Sequence, residues 1–509
     1  MNQLKCEYIR KFIAFICVSC FTLSGVHAQD KMEYKADWES LSKHKASPEW
    51  FADAKLGIYF HWGIYSVPAY GDEWYPFRLY QTKETDIQKH HKETYGSIES
   101  FGYHEFARMF KAEYFNASEW VQLFQDAGAK FVGPVAEHHD GYSMWESNVT
   151  PWNSMDIGPH RDILGEIKKE VEKRDMKLIA TFHHARQLQR NNPTNFTGRN
   201  RASHYRNIPG TATASNDSLL ALLYGNLPEE DWNERVWYGK LKEVIDNYQP
   251  DIIWFDSWLD QIPEKYRKKF CAYYLNQAEK WGKEVVIVRK QQDLPLSFTV
   301  DDLEKSRKNK KEDHIWMTDE TISKGSWCYT NNLKIKRAQD LIHVLADIVS
   351  KNGVLLLNVS PKADGTIPFD QQEVLREMGK WLKKYGEAIY KTHPWYTYGE
   401  GPTKEPVGHY DNRKKFLKIK YSEKDIRYTT NGNTIYATLL GKATPERVVH
   451  LKSFDRSHKD NFKQIKDIKL VGSSSKVKWR LKKEGLYITL PNDIPNQMAS
   501  VLQIDVKEI

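Results

Sequence analysis

The segment PDIIWFDSW, residues 250–258, decides the fold because it joins a buried strand to a carboxylate. Ile252 to Phe255 form an uninterrupted apolar run, and Asp256 follows it directly. An apolar run without polar residues at alternate positions predicts a strand that is buried on both faces. Burying a carboxylate is costly unless the group is paired or hydrogen-bonded, so an acid at the end of such a strand indicates a functional group.

Apolar strands of this kind alternate with amphipathic helices over much of the chain. This alternation is typical of a parallel sheet that is covered on both faces. Six such strands, with no second nucleotide-binding half, favour an α/β fold with a (β/α)8-like catalytic barrel, complete or incomplete, over a doubly wound sheet. The strands are predicted within 55–63, 130–141, 176–185, 250–258, 283–291 and 354–361, and helices within 118–129, 162–175, 231–248, 264–282 and 337–353.

After about residue 392 the helical spacing gives way to short segments in which apolar and polar residues alternate. These segments predict an antiparallel β-sandwich. The Asn-Gly-Asn sequence at 431–433 predicts a hairpin turn, because Asn and Gly accept positive φ. We therefore expect a barrel domain over 29–392 and a C-terminal β-sandwich domain over 393–509. Its strands are predicted within 416–422, 426–441, 448–453, 468–473, 486–492 and 500–506.

Residues 1–28 have the pattern of a cleaved secretory signal peptide. Basic residues precede an apolar stretch, and a small-residue cleavage site ends at Ala28. The pattern predicts a secreted or periplasmic protein. The position three before Cys20 is Cys17 rather than a branched aliphatic residue, which argues against a lipoprotein anchor. No other apolar run is long enough for a transmembrane segment.

Cysteines and charge narrow the remaining classes. Cleavage leaves Cys271 and Cys328, which form one disulfide or remain two buried thiols; we expect two thiols. The formal net charge is +8, but the basic stretch at 305–313 contains no aromatic residue. That stretch predicts a solvated loop and no nucleic-acid surface. Nothing in the sequence indicates the oligomeric state.

Polar residues close the predicted barrel strands. Active sites of (β/α) barrels are built at the carboxyl ends of several strands. We therefore expect these residues to line one pocket. They are His61 and Trp62, then His138, His139 and Asp140, then His183 and His184, then Asp256, and finally Arg289.

The histidine pairs suit either a metal or a ligand that is rich in hydroxyl groups. Adjacent residues of a strand point to opposite faces, so at most one histidine of each pair would face inward. No cysteine or His-x-x-x-His helix completes a zinc set, so we expect no metal and no cofactor. Asp256 with a second carboxyl as proton donor would be the two-carboxylate arrangement of glycoside hydrolysis, with the carboxyls about 5–5.5 Å apart for retention.

Four motifs together resemble the α-L-fucosidases of glycoside hydrolase family 29: AKLGIYFHWGIYSVPAYGDEWY (54–75), EHHDGY (137–142), PDIIWFDSW (250–258) and IWMTDETISKGSWCYT (315–330). The resemblance covers roughly 33–392, and NGNTIYATLLG (431–441) is similar to the C-terminal sandwich of that family. It implies a retaining exo-hydrolase that releases terminal α-L-fucose from fucosylated oligosaccharides or glycoconjugates without a metal. By position it implies Asp256 as nucleophile, His61, Glu73, Trp74, His138 and His139 as holders of sugar hydroxyls, and Trp327 near the deoxy-sugar methyl.

The chain departs from this family pattern at several points. Many members have Trp-Glu where this chain has Trp316-Met317, and in some of them that Glu is the general acid. Tyr is frequent where this chain has Phe-His-His, so His183 or His184 would replace a sugar contact. A basic residue is common at the position of Glu137.

Three carboxyls remain candidates for the acid/base role. Glu304 is preferred because DDLEKSR resembles a family segment at that place, and Glu320 and its neighbour Asp319 are the alternatives. If none of them serves, the chain would be a fucose-binding protein of the same fold that has lost catalysis.

Overall fold

The computed structural model describes residues 32–188, 205–406 and 413–507, so the predicted signal peptide lies outside the described residues. Eight parallel strands form a closed barrel in chain order, and the eighth pairs with the first. The strands are β1 (Leu56–Phe60), β2 (Phe131–Glu137), β3 (Lys177–Phe182), β4 (Ile252–Phe255), β5 (Val286–Arg289), β6 (Val300–Asp302), β7 (Trp316–Thr321) and β8 (Gly353–Val359).

The barrel is complete, although the apolar pattern predicted only six of its strands. The two additional strands are β6 and β7. β6 has three residues, Val-Asp-Asp, and therefore no apolar run. β7 reads Trp-Met-Thr-Asp-Glu-Thr, yet all six residues are buried. The hydrophobicity pattern missed these two strands because they contain buried polar side chains.

Helices connect most of the strands, although none of the described residues forms a helix between β5 and β6 or between β6 and β7, and the five predicted helices are confirmed. The predicted helix at 231–248 contains a π-helical segment, Trp232–Tyr238, and a long helix at Phe369–Tyr385 was not predicted. The α-helices are α1 (Trp38–Leu41), α2 (Glu49–Ala54), α3 (Tyr75–Leu79), α4 (Asp86–Thr94), α5 (Phe106–Met109), α6 (Ala117–Asp126), α7 (Ile163–Lys173), α8 (Ser218–Tyr224), α9 (Glu229–Asp231), α10 (Gly239–Tyr248), α11 (Glu264–Trp281), α12 (Ala338–Ser350), α13 (Phe369–Tyr385) and α14 (Arg413–Phe416).

Apolar side chains fill the inside of the barrel. Tyr59, Trp254, Val288 and Met317 belong to one buried cluster that strands from all sides of the barrel supply. The interior is therefore a packed core, as in other barrels of this kind, and not a channel. A pocket lies instead where the strands end.

The C-terminal part is an antiparallel β-sandwich. A five-stranded sheet has the order β13-β16-β11-β10-β9, and a three-stranded sheet has the order β12-β15-β14. Tyr428, Leu451, Leu486 and Leu502, from both sheets, share one buried core. The strands are β9 (His393–Glu400), β10 (Ile426–Asn431), β11 (Thr434–Leu439), β12 (Val448–Leu451), β13 (Ile465–Leu470), β14 (Lys478–Lys482), β15 (Gly485–Thr489) and β16 (Ser500–Val506).

The hairpin predicted at 431–433 is confirmed, since β10 pairs with β11 across Gly432, which has φ of 54°. The strand predicted at 416–422 is wrong, because the chain there leaves a short helix and turns. Strands β9 and β14 were not predicted. In β14, basic residues occupy three of five positions, so its apolar face consists of only two residues, Trp479 and Leu481, which pack against the sandwich core.

The structure bears on three further predictions: the state of the cysteines, the absence of a transmembrane helix and the solvation of the basic stretch at 305–313. Cys271 and Cys328 are both free and buried, which confirms two thiols. Within the described residues, no helix combines the length and the apolar character needed to cross a membrane. The basic stretch at 305–313 is not wholly solvated, because Arg307 is buried and faces Asp347 of α12.

Candidate active site

A pocket of about 230 Å³ lies at the carboxyl ends of the barrel strands. It is lined by side chains that follow different strands, as the barrel architecture predicts. Ten of the residues singled out in the sequence line it: His61, Glu73, Trp74, His138, His139, His183, Asp256, Glu304, Asp319 and Trp327.

Asp256 directly follows β4 and lies between two nitrogen donors. Its Oδ1 accepts from Lys290 Nζ at 3.1 Å, and its Oδ2 lies 3.0 Å from His139 Nε2. Burial by itself raises the pKa of this carboxyl, but Lys290 and His139 outweigh burial and lower the pKa of Asp256 well below its usual value. Asp256 is therefore an ionised, partly desolvated carboxylate.

Lys290 bridges three carboxylates and was not singled out by the sequence. Its Nζ lies 3.1 Å from Asp256 Oδ1, 3.2 Å from Asp319 Oδ2 and 3.4 Å from Glu304 Oε2. Burial opposes its charge, but the carboxylates, Asp319 foremost, raise the pKa of Lys290 well above its usual value. One buried cation thus holds the acidic groups of the pocket together.

These contacts limit how far apart the carboxylates can be. Asp256 Oδ1 and Glu304 Oε2 are at most 6.5 Å apart, the sum of their distances to Lys290 Nζ. Asp319 is 1 % exposed, and its Oδ2 also accepts from the Tyr59 hydroxyl at 3.0 Å. The Glu304 side chain is 13 % exposed. Of these two possible partners of Asp256, Glu304 is the one that solvent can reach.

A fourth carboxyl, Asp302, lies behind this cluster. Burial and the neighbouring charge of Asp319 raise the pKa of Asp302 well above its usual value. A hydrogen bond to Asp319 contributes to the same shift. The raised pKa favours the neutral form of Asp302, which adds no negative charge to the cluster around Lys290.

His61 is oriented by a neighbouring amide. Its Nδ1 donates to Asn358 Oδ1 at 2.7 Å, and its backbone N–H donates to the same oxygen at 2.9 Å. The amide is itself fixed, because Asn358 Nδ2 donates to the Trp327 carbonyl at 2.7 Å. Burial lowers the pKa of His61 to about 3, so its imidazole is neutral.

His138 and His139 both line the pocket, contrary to the expectation that only one would. The expectation assumed a continuing strand, but β2 ends at Glu137 and the chain turns at the histidines. The pair that follows β3 does behave as expected. There, His183 lines the pocket and His184 does not.

Glu73 and Trp327 are tied to each other at one side of the pocket. Glu73 Oε2 accepts from the Trp327 backbone N–H at 3.1 Å and from the Ser326 hydroxyl at 3.0 Å. Burial, and then the charge of Asp72, raise the pKa of Glu73 to about 7. The Trp327 ring stacks on His61 with centroids 5.3 Å apart. An aromatic face and a carboxyl thus sit side by side, which suits a ligand with both apolar and hydroxyl edges.

Asp140 was predicted to line the pocket and does not; its Oδ2 accepts from the Tyr103 hydroxyl at 2.9 Å. Trp62 and His184 were also predicted to line the pocket and do not. Trp62 packs on Trp120, and its indole N–H donates to the Lys362 carbonyl at 2.7 Å. His184 stacks on Trp237, and its Nε2 lies 3.2 Å from the carbonyl of that residue. Trp62 and His184 each follow an inward-facing histidine, so each points to the opposite side, toward the helices.

Arg289 and Glu320 also lie outside the pocket, for the same geometric reason. Arg289 Nη2 pairs with Asp301 Oδ1 on β6 at 2.7 Å, and it is the next residue, Lys290, that faces inward. Glu320 Oε1 lies 2.7 Å from Lys336 Nζ, and it is the preceding residue, Asp319, that faces inward. Because these strands are buried on both faces, the sequence does not reveal which residues point inward.

Five lining residues were not predicted. Arg186 was one of them, and its guanidinium lies 4.8 Å from the Trp74 ring and 5.1 Å from the Trp258 ring. The only available signal was proximity along the chain to a predicted strand end. The five are Arg78, Arg186, Ser257, Trp258 and Lys290.

Met317, where a family glutamate is common, is buried in the packed core of the barrel. Its side chain does not line the pocket. The carboxylate of Glu304, from the segment after β6, is present in the pocket instead. Although position 317 is not a glutamate, the pocket therefore still contains a second carboxylate near Asp256, that of Glu304.

Among the residues that the structure describes, one group has the geometry to hold a metal ion. His61, His138 and His183 each offer a nitrogen, and these nitrogens lie within 4.8 Å of one another.

A closed barrel of eight parallel strands with neighbouring carboxylates at its carboxyl face is the arrangement of barrel glycoside hydrolases. The model of the α-L-fucosidase family matches residues 21–387, and that of the α-L-fucosidase C-terminal domain matches 420–505. The chain belongs to the α-L-fucosidase family, as its motifs indicated.

Individual α-L-fucosidases are similar to this chain over most of its length. The tissue α-L-fucosidase of rat is 31% identical over 476 residues, which are 90% of this chain and 88% of the relative. The human plasma α-L-fucosidase is 29% identical over 494 residues, 92% of this chain and 91% of the relative. The crystal structure of Thermotoga maritima α-fucosidase in complex with fucose has a TM-score of 0.72 and 28% identity, covering 93% of this chain and all of that one.

Proposed function

We propose that the protein is a secreted, retaining exo-α-L-fucosidase in which Asp256 is the nucleophile and Glu304 the general acid/base. The observation that carries the proposal is the pair of carboxylates on Lys290, with oxygens at most 6.5 Å apart. Retaining glycosidases hold the two carboxyls about 5–5.5 Å apart, whereas inverting enzymes leave about 6.5–9.5 Å for a water molecule.

The reaction then proceeds in two displacements. In the first, the Asp256 carboxylate attacks the anomeric carbon while Glu304 protonates the departing glycosidic oxygen, which gives a covalent fucosyl-enzyme. In the second, Glu304 takes a proton from water, the water attacks the anomeric carbon, and Asp256 leaves. Two inversions restore the original configuration. Lys290 and His139 keep Asp256 ionised before the first step.

Glu304 is better placed than Asp319 for the acid/base role. The leaving oxygen belongs to a larger glycan that extends into solvent, so its proton donor must be reachable from outside. Asp319 is 1 % exposed and engaged by Tyr59 and Lys290, whereas the Glu304 side chain is 13 % exposed.

The size of the pocket supports exo-action on a single terminal sugar. Its volume of about 230 Å³ is below the roughly 300–1,000 Å³ of pockets that enclose drug-sized ligands. The remainder of a fucosylated oligosaccharide or glycoconjugate would stay outside. Within the pocket, we assign the sugar hydroxyls to His61, Glu73, Trp74, His138, His139 and His183, and the deoxy-sugar methyl to Trp327.

Secretion is proposed from the signal-peptide pattern of residues 1–28. The likeness to a plasma enzyme is consistent with it. Detection of the mature chain outside the cytoplasm, beginning after Ala28, tests this part of the proposal.

The mechanism is tested by the configuration of the product. Proton NMR during hydrolysis of a nitrophenyl α-L-fucoside should show α-L-fucose as the first anomer released, because retention is expected. In Asp256→Ala, turnover should fall by several orders of magnitude, and added azide should partly restore it and yield the β-fucosyl azide. β-Fucose as the first product would contradict retention. Fucose binding without hydrolysis in the wild type would instead identify a binding protein that has lost catalysis.

The acid/base assignment is tested by leaving-group chemistry, with Glu320 as a matched control. Glu304→Ala should reduce the rate on a natural fucosylated oligosaccharide by about 10²–10⁴-fold, and far less in the first step on a nitrophenyl fucoside, whose leaving group needs no proton. Glu320→Ala should not show this difference. Equal losses on both substrates for Glu304→Ala would exclude it as the acid and leave Asp319.

A further inference from the structure

Three histidines of the pocket converge on one point. His61, His138 and His183 follow three successive strands and are each at most 4 % exposed. Their ring centroids are 5.6 Å apart for His61 and His138, 5.4 Å for His61 and His183, and 4.7 Å for His138 and His183. One nitrogen from each ring lies within 4.8 Å of the other two.

This spacing is close to that of a metal centre. Three points at most 4.8 Å apart all lie within about 2.8 Å of a common centre, by the geometry of the triangle. Zinc–imidazole bonds are about 2.0–2.1 Å long. Each ring therefore needs to move by less than about 1 Å to bind an ion, which side-chain torsions can supply.

The surroundings of the rings favour ligation. His61 is held as metal-bound histidines usually are: one ring nitrogen donates to an oxygen acceptor, here Asn358 Oδ1 at 2.7 Å, so that Nε2 keeps its lone pair. The Nδ1 atom of His183 is buried and has no hydrogen-bond partner.

We propose that His61, His138 and His183 form an inhibitory site for a divalent transition metal, zinc or copper(II), inside the sugar pocket. Three imidazoles with open positions toward a pocket are the arrangement of a metal site that exchanges its remaining ligands. The ion occupies the same nitrogens that a sugar hydroxyl needs, so metal and sugar exclude each other. Only this exclusion rests on the proposed function; metal binding itself does not.

The test is a titration of the chelator-treated, full mature chain with zinc chloride alone, followed by isothermal calorimetry, and with cobalt(II) followed by its visible absorption. We expect one zinc ion per chain and a cobalt spectrum typical of imidazole ligation. His183→Phe and His138→Phe should each weaken zinc binding at least tenfold, because each removes one of three ligands. His184→Phe is the matched control, since His184 is also buried and neighbours His183 but lies outside the pocket. Its zinc affinity should equal that of the wild type.

Each result decides the proposal. Absence of zinc binding by the wild type, or unchanged affinity in both His183→Phe and His138→Phe, overturns the site. Thermal unfolding identifies any variant that fails to fold; the remaining ligand variant and the cobalt spectrum of the wild type then decide. L-Fucose should displace the bound ion competitively. If zinc binds and fucose does not displace it, the overlap is wrong; if fucose does not bind at all, the proposed function fails while the metal site stands.

Discussion

Replacing Lys290 with methionine is the most informative single change in the pocket. Met keeps much of the length of the lysine side chain but removes the charge that Asp256, Glu304 and Asp319 share. Arg289→Met is the matched control. It removes a cation one residue earlier, whose partner Asp301 lies outside the pocket.

The expected size follows from the distance. Coulomb's law with an effective dielectric constant of about 20 gives about 5 kcal/mol for unit charges 3.1 Å apart. This is an upper bound, because Lys290 divides its influence among three carboxylates. Opposite charges at such distances commonly shift a carboxyl pKa by about 1–3 units. Loss of Lys290 should therefore raise the pKa of Asp256 by an amount in that range.

The assay is the pH dependence of kcat/KM on a nitrophenyl fucoside. Asp256 must be ionised to attack, so the rate falls as the pH drops through its pKa. A higher pKa moves this acid limb to higher pH, by about 1–3 units in Lys290→Met and not at all in Arg289→Met. An acid limb that stays in place in Lys290→Met, or that moves equally in both variants, would refute the electrostatic role of Lys290.

Stability gives an independent readout of the same variant. Removing one partner from a buried charge cluster costs about 3–5 kcal/mol. The pKa of Asp256 is lowered in the folded state, so its stabilising contribution is present above the pKa of the unfolded chain and is lost as the pH falls through the folded pKa. Urea unfolding should therefore show the largest difference between wild type and Lys290→Met near neutral pH and a smaller one in acid. A difference that is independent of pH would contradict this account.

Three further outcomes follow from buried contacts. Asn358→Leu removes the acceptor of His61 Nδ1. The value of kcat/KM should therefore fall by about 5- to 150-fold, the equivalent of roughly 1–3 kcal/mol, chiefly through KM; an unchanged KM would contradict the positioning role. Lys240→Met leaves the fully buried carboxylate of Glu137 without its cation at 2.8 Å, and the free energy of unfolding in urea should fall by about 3–5 kcal/mol. The two buried cysteines are free thiols, so a reducing agent should leave Tm unchanged, whereas a lowered Tm would indicate a disulfide.

The sequence predicted the positions of the strand ends better than the directions of their side chains. Asp256 was found because a lone carboxylate interrupts an apolar pattern. The choice between Arg289 and Lys290 failed because both flanks of β5 are buried, so neither hydrophobicity nor alternation distinguishes the inward residue. Only the charged partners distinguish the two residues: Arg289 pairs with Asp301 on one face, and Lys290 pairs with three carboxylates on the other. Those partners belong to other strands and loops, so the local sequence does not reveal them.

Glu73 and Trp327 illustrate the opposite case. Neither closes an apolar run, so the local pattern contained no sign of them, and only the motif resemblance singled them out. Their joint position depends on a contact across 254 residues, from the Trp327 backbone N–H to Glu73 Oε2. No periodicity rule reaches over such a separation. The three-residue strand β6 was not predicted for a related reason: its pairing with β5 and β7 defines it, and its composition does not.

The segment after β6 holds Glu304 in a fixed position, which supports the acid/base role proposed for it. Glu304 is flanked by two backbone hydrogen bonds to β7: Leu303 N–H donates to the Met317 carbonyl at 3.0 Å, and Lys305 N–H donates to the Asp319 carbonyl at 2.9 Å. These bonds continue the pairing of β6 with β7 past the end of the strand.

The basic residues that follow are not merely solvated. Lys305 Nζ lies 4.1 Å above the Trp327 ring and donates to the Gly325 carbonyl at 3.1 Å, while the Ser306 carbonyl accepts from the Thr318 hydroxyl at 2.8 Å. The segment is thus anchored on both sides of Glu304. An acid/base group must keep its distance to the nucleophile through two chemical steps, and rigid support of this kind is what such a role requires. If Glu304 is the acid/base, as proposed, these contacts supply the rigid support that the role needs in a barrel whose seventh strand carries methionine at position 317.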